Sequence, residues 1–89
     1  MITLSDIQKR IQGLKNWSLE GNAIVKEYQF YNFRESIEFV NKVADIAEKL
    51  NHHPSILIED YIVRLVLTTH SEHGLTEKDF NAAEEIDKI

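Results

Sequence analysis

Cysteine is missing from this 89-residue chain. That absence excludes disulfides, thiolate nucleophiles and cysteine-ligated zinc, and leaves histidine and carboxylates as the available chemistry. Glycine and proline are scarce, three and one respectively, and hydrophobic residues make up 43% of the chain, which argues against a disordered or low-complexity segment. No internal repeat is visible. No apolar run approaches the roughly 20 residues that a membrane helix requires. Met1 to Lys9 offers neither a basic leader nor a long apolar core, so no signal peptide is expected and the cytoplasm is the expected compartment. Basic residues are scattered singly within a net charge of −5, a balance that repels phosphate backbones, so neither nucleic acid nor membrane is an expected partner. The length suits one domain over residues 1–89, with a core small enough to gain from a partner.

What is present reads as seven elements. Thr3 with Asp6 forms a capping-box pattern, followed by Leu4, Ile7, Ile11 and Leu14 at helical spacing until Gly13. From Trp17 the period changes to two: Trp17 to Glu20, then Gly21-Asn22, then Ile24 to Phe30, the pattern of a hairpin. Asn32 with Glu35 opens a long helix running to about Leu50. Its apolar residues form two adjoining stripes, Phe33, Ile37, Val40, Ala44 and Ala47 beside Phe39, Val43, Ile46 and Leu50. That arc is wider than one core-facing helix needs, which predicts a second covering partner, most simply another copy of the chain. Pro54 ends the helix and biases His53 toward extended backbone. Ile56 and Ile58, a turn near Asp60-Tyr61, and Val63, Leu65 and Leu67 make a second hairpin. Thr76 with Asp79 caps a last helix whose buried face is Phe80, Ala83 and Ile86. The order αββαββα predicts an α+β fold, a four-stranded antiparallel sheet with three helices packed on one face.

Three histidines sit at element ends: His52 and His53 leave the long helix and His70 leaves the fourth strand, positions that are expected to expose side chains. Histidine gives and takes protons near neutrality, as elimination of water demands, and it does so without a metal. A zinc site with an open position is the competing reading, and spacing counts against it, because adjacent residues of an extended segment project to opposite sides. His73 reads as an exposed loop residue.

The run Glu48-Lys49-Leu50-Asn51-His52-His53-Pro54, followed by Thr68-Thr69-His70 and by Gly74-Leu75-Thr76 with Asp79, resembles the signature of the pterin-4a-carbinolamine dehydratases. Trp17, the strand Ile24 to Phe30, Phe33 and the run Val43 to Glu48 extend the likeness over nearly the whole length. The resemblance implies dehydration of a 4a-hydroxytetrahydropterin to a quinonoid dihydropterin, dimers or tetramers, and no cofactor or metal. It implies a pterin bound among His52, His53 and His70, with Asn51, Thr68, Thr69 and Ser71 around it. The reaction needs an acid and a base flanking the ring. His52 and His70 are assigned to that exchange and His53 to orienting the pterin. Glu48 is a candidate to tune a histidine or to hold the pterin amino group, against a plain reading as a solvated carboxylate. Asp79 is either helix cap or active-site support, and Trp17 either pocket wall or hairpin core. The chain departs from the family pattern at Asp60-Tyr61, at His73 where many members have glycine, and at Ile56-Leu57 where many have an aromatic. Animal members of the family also serve as dimerisation cofactors of a transcription factor, so a protein-interaction module is the alternative function. Its contact surface would be the long helix, and self-association is expected there and along the sheet edges.

Overall fold

The computed structural model describes residues 2–89. Its elements are α1 (Leu4–Gln12), β1 (Ser18–Glu20), β2 (Ala23–Gln29), α2 (Phe33–Leu50), β3 (Ser55–Glu59), β4 (Ile62–Leu67), a short 3₁₀ turn (His70–Glu72) and α3 (Glu77–Ile86). The predicted α+β order holds, and the 3₁₀ turn is an addition that no periodicity announced. The strands form one antiparallel sheet in the order β1-β2-β4-β3. Among the described residues no helix is long and apolar enough to cross a membrane.

Each helix starts where its capping residues place it. Asp6 N–H donates to Thr3 Oγ1 at 3.1 Å, and Thr3 N–H donates back to Asp6 Oδ2 at 3.2 Å. These bonds hold the Asp6 carboxyl below its ordinary range. Glu35 N–H donates to Asn32 Oδ1 at 2.9 Å, while Tyr31 N–H donates to Glu35 Oε1, also at 2.9 Å. Both arrangements satisfy amides that lack partners at a helix start. Gly21, with φ 59°, turns the first hairpin, and Asp60, with φ 53°, turns the second; aspartate is among the few residues other than glycine that visit this region readily.

The core is the sheet face covered by α2 and α3. Ile24 of β2 and Val63, Leu65 and Leu67 of β4 are fully buried against Phe39, Val43 and Ala47 of α2 and Phe80, Ala83 and Ile86 of α3. Each such Val, Leu, Ile or Phe contributes roughly 1.5–3 kcal/mol by leaving water. The opposite sheet face is polar in part, with Arg64 paired to Glu20 at 2.8 Å and near Glu27 at 4.0 Å. Arg10 fastens α1 to α3: its guanidinium lies 5.2 Å from the centre of the Phe80 ring and pairs with Glu77 and Glu84.

The two stripes of α2 divide differently from the expectation. Ser36, Phe39, Val43 and Ala47 face the core, so Ala47 belongs with Val43 and not with the outer row. Phe33 remains 53% exposed, Leu50 and Ala44 are also exposed, and Ile37 and Val40 are half-buried. At 100° per residue Ala47 lies on the boundary between the rows, and packing decides such a residue where spacing does not.

At the far end of α3 a polar cluster lies under the sheet. Asp87 Oδ1 accepts from Trp17 Nε1–H and from Lys26 Nζ, both at 2.9 Å, and Asp87 Oδ2 accepts from the Lys15 amide at 2.9 Å. The Lys26 ammonium also sits 4.8 Å from the centre of the Tyr28 ring. Tyr28 packs on Phe39, with ring centres 4.4 Å apart. Its hydroxyl is buried without a hydrogen-bond partner among the described residues. Burial first, and the nearby Asp87 charge second, push the Tyr28 hydroxyl well above its ordinary pKa of 10.0. In the unfolded chain tyrosine ionises near that ordinary value while the folded chain keeps its proton, so native stability falls as pH rises through about 10 and beyond. Tyr28→Phe removes both the orphaned hydroxyl and this alkaline loss. Unfolding followed at pH 8 is expected to give a stability equal to the parent's or higher, by up to about 1 kcal/mol, with the gap widening above about pH 10.

Candidate active site

The segment that leaves α2 is shaped by one left-handed residue. Asn51, with φ 52°, ends the helix, and the amide of His52 returns to Ala47 O at 3.1 Å. Asparagine tolerates this conformation, which closes the last carbonyls of a helix and reverses the chain. Pro54 follows, and the two histidines between them diverge as extended neighbours must. The His52 side chain is only 12% exposed and places Nε2 2.6 Å from Asp79 Oδ1. His53 is 58% exposed and places Nε2 2.5 Å from Glu48 Oε2.

Asp79 itself is 0% exposed. Its Oδ2 accepts the Thr76 amide at 2.9 Å, the reciprocal half of the α3 capping box, and the Thr69 hydroxyl at 2.8 Å. Thr69 and Thr76 also join hydroxyl to hydroxyl at 2.8 Å. Cap and support of a histidine are therefore one role: the carboxylate that starts α3 also holds His52.

The third histidine rides on a closed loop. Thr69 N–H donates to Gly74 O at 3.0 Å and Gly74 N–H to Thr69 O at 3.2 Å, so the pair locks both ends of the turn carrying His70 and Ser71. Inside it His73 N–H donates to His70 O at 3.1 Å, with His73 at φ 57°. That left-handed backbone gives a reason for glycine to suit the position. His70, Ser71 and His73 are exposed. Thr68 donates its hydroxyl to Asn22 O at 2.7 Å, tying the first hairpin to the strand that leads into this loop.

Of the candidates read from the sequence, His52, Thr69 and Asp79 share one hydrogen-bonded network. His53 and Glu48 form a pair beside it, Asn51 shapes the turn that aims both histidines, and His70 and Ser71 stand on the adjoining loop. One expectation changes. His52 is largely enclosed although it stands at an element end, because a partner 27 residues away draws it inward. Glu48, read as a candidate to tune a histidine, meets His53. Trp17 is 5% exposed and bonded to Asp87, beyond the last turn of α3, whereas Asp79 lies in the first. It belongs to the hairpin core. Thr76 is the residue that sequence reading left out of the site; the signal available was a capping box whose acidic member follows closely on the His70 loop. A cleft of about 460 Å³ opens beside this network, lined in part by Thr69, Glu72, Thr76 and Lys78 but by none of the three histidines. Among the described residues no group of three or more His, Asp or Glu side chains converges as metal ligands.

The arrangement offers two imidazoles, each anchored to a carboxylate, and a third on an adjoining loop, a set suited to moving protons at a ring. Comparison with known proteins bears on the family of the chain. A family model described as Pterin 4 alpha carbinolamine dehydratase matches residues 1–89. A protein of Sulfolobus acidocaldarius, provisionally named pterin-4-alpha-carbinolamine dehydratase, is 45% identical over 85 residues, covering 96% of this chain and 93% of its own. One of Chloroflexus aurantiacus with the same provisional name is 47% identical over 85 residues, covering 96% and 91%. Among solved structures, a transcriptional coactivator/pterin dehydratase from Brucella melitensis superposes with a TM-score of 0.91 at 32% identity, covering 98% of this chain and 95% of that one. A pterin dehydratase-like RuBisCO assembly factor of the alpha-carboxysome shares the fold, with a TM-score of 0.70 at 19% identity over 83% of this chain and 88% of its own. The helices, the sheet and the histidine constellation thus lie in a chain that belongs to the pterin 4 alpha carbinolamine dehydratase family.

Proposed function

We propose that residues 1–89 act as a single dehydratase domain in the cytoplasm, a hydro-lyase that converts a 4a-hydroxytetrahydropterin to a quinonoid dihydropterin by histidine acid and base catalysis. The observation that carries this reading is His52 held by the buried Asp79 beside His53 and the His70 loop. In the reaction the C4a–O bond breaks, the hydroxyl leaves as water with a proton from the acid, and a ring N–H gives its proton to the base as the adjoining C=N bond forms. His52 and His70 exchange those protons. His53, anchored by Glu48, orients the pterin, with Asn51, Thr68, Thr69 and Ser71 around it. Preorganised groups of this kind contribute about 10²–10⁴ each to a rate. The decay of freshly made 4a-hydroxytetrahydropterin, followed by its absorbance, should be faster with the protein than without it and unchanged by prior dialysis against a chelator. His52→Ala combined with His70→Ala should slow it by on the order of a hundredfold or more, and the parent rate should vary across pH 5 to 8, where histidines exchange protons. An undiminished double variant would remove histidine from the mechanism.

A second proposal concerns assembly, and the outer row of α2 supports it. Phe33, Ile37, Val40 and Ala44 line one side of a helix whose other side already fills the core. A two-fold axis lets such a row meet itself, so we read it as the contact of a homo-oligomer, with the exposed sheet edges available for a further one. The same row supports the alternative function, a protein-interaction module, and the likeness to a Brucella protein described as a transcriptional coactivator favours keeping that reading. Val43 is fully buried in the chain's own core, so a charge there would unfold the subunit; Ala44 is the informative position. Ala44→Asp is expected to convert the parent oligomer to a folded monomer in sedimentation at micromolar concentration. A parent that already sediments as a monomer would end this proposal. Dehydration retained by the monomer would show that each subunit completes its own site.

A further inference from the structure

We propose that Thr69 is the positioning residue of this site: its hydroxyl fixes Asp79 so that His52 presents Nδ1 to the substrate, while its backbone sets the loop that carries His70. The catalytic half of this rests on the dehydratase reading; the wiring itself does not.

The argument is a count of protons. An ionised carboxylate can only accept. Asp79, wholly enclosed, accepts the Thr76 amide and the Thr69 hydroxyl at Oδ2, leaving Oδ1 for His52 Nε2 at 2.6 Å. Thr69 has one hydroxyl hydrogen. Once that is given to Asp79, the 2.8 Å contact between Thr69 Oγ1 and Thr76 Oγ1 requires Thr76 to be the donor. Thr76 Oγ1 in turn accepts from the Lys78 amide at 3.3 Å. Every hydrogen in the network then has one direction, and its other end is fixed too: His52 must carry a hydrogen on Nε2. The opposite tautomer would set a ring lone pair against a carboxylate oxygen. A neutral imidazole with hydrogen on Nε2 has its free lone pair on Nδ1, so Nδ1 is the atom left to take or return the substrate's proton.

Thr69 is the point where this wiring meets the third histidine. It is 4% exposed, and its hydroxyl is spent on Asp79 and Thr76, which leaves that side chain no free donor for a ligand. Its amide and carbonyl are both bonded to Gly74, closing the His70 turn. One residue thus positions His52 through a side chain and His70 through the backbone. Its branched side chain, stiff about χ1, suits that double duty.

The test uses the full chain labelled with ¹⁵N at histidine and long-range ¹H–¹⁵N correlation, with His52 assigned through the loss of its signals in His52→Gln. The expected parent spectrum has neutral His52 with hydrogen on Nε2. Thr69→Val keeps the shape and removes the hydroxyl. It leaves Asp79 without the donor that holds its orientation, so kcat should fall by roughly tenfold or more, as expected for loss of a hydrogen bond to a charged group, with KM changed by less than about threefold. His52 should keep hydrogen on Nε2, because Asp79 Oδ1 still accepts it. Thr69→Ser should restore kcat. A parent His52 with hydrogen on Nδ1 overturns the proposal, and so does a Thr69→Val protein with unchanged rate. If Thr69→Val does not fold, the parent tautomer and the Thr69→Ser rate still decide. A chain that shows the expected parent tautomer but never dehydrates the carbinolamine would keep the wiring and overturn the reaction assigned to the site.

Discussion

A carboxylate cut off from water must be surrounded by donors, and Asp79 meets that demand by drawing on three separate segments of the chain. The start of α3 supplies the Thr76 amide, the end of β4 leads to the Thr69 hydroxyl, and the turn after α2 supplies His52. Neither the helix cap nor the inward histidine stands without it. Removing one donor from such a buried carboxylate leaves it unsatisfied at a cost of about 1–3 kcal/mol or more, so the same bonds that aim the imidazole also hold α3 against α2.

The two histidines that leave α2 show how environment separates neighbours. His53 and Glu48 meet in solvent, where an ion pair is worth about 0–1 kcal/mol and its members exchange freely with water. His52 and Asp79 meet largely out of solvent, the imidazole 12% and the carboxylate 0% exposed. One imidazole is adaptable and the other is fixed. A site that must both admit a flat ring and transfer a proton at a set angle has use for each, since orientation of the reacting groups is itself a large part of catalysis.

Much of this was legible in the residues. Capping pairs at Thr3, Asn32 and Thr76 marked the helix starts because each satisfies amides locally, within three or four residues. Alternation in β2 and β4 marked the buried sheet face for the same reason, since the period of a strand is a local property. What stayed hidden depends on partners distant in sequence. The burial of His52 is decided by Asp79, the partner of the Trp17 ring nitrogen is Asp87, and the side of α2 taken by Ala47 is decided by packing on the sheet. Ser36, fully buried in the core row of α2, escaped notice because its hydroxyl returns to its own helix at Asn32 O, 3.4 Å away, and so needs no water. Spacing locates chemistry along a chain, and topology decides which of it converges.

The strand order β1-β2-β4-β3 also bears on the sequence of events by which the chain assembles. The β1–β2 and β3–β4 hairpins close over short loops, but the central pairing of Ile24 with Leu67 must span all of α2 and β3. Loop closure of that kind is slow relative to hairpin formation, because chain entropy is lost before contacts return it. Asp79 lies later still, on α3, which follows all four strands along the chain. A chain that has joined all four strands but not yet docked α3 therefore has its sheet and lacks the carboxylate that turns His52 inward. Docking that helix and making the site are one event.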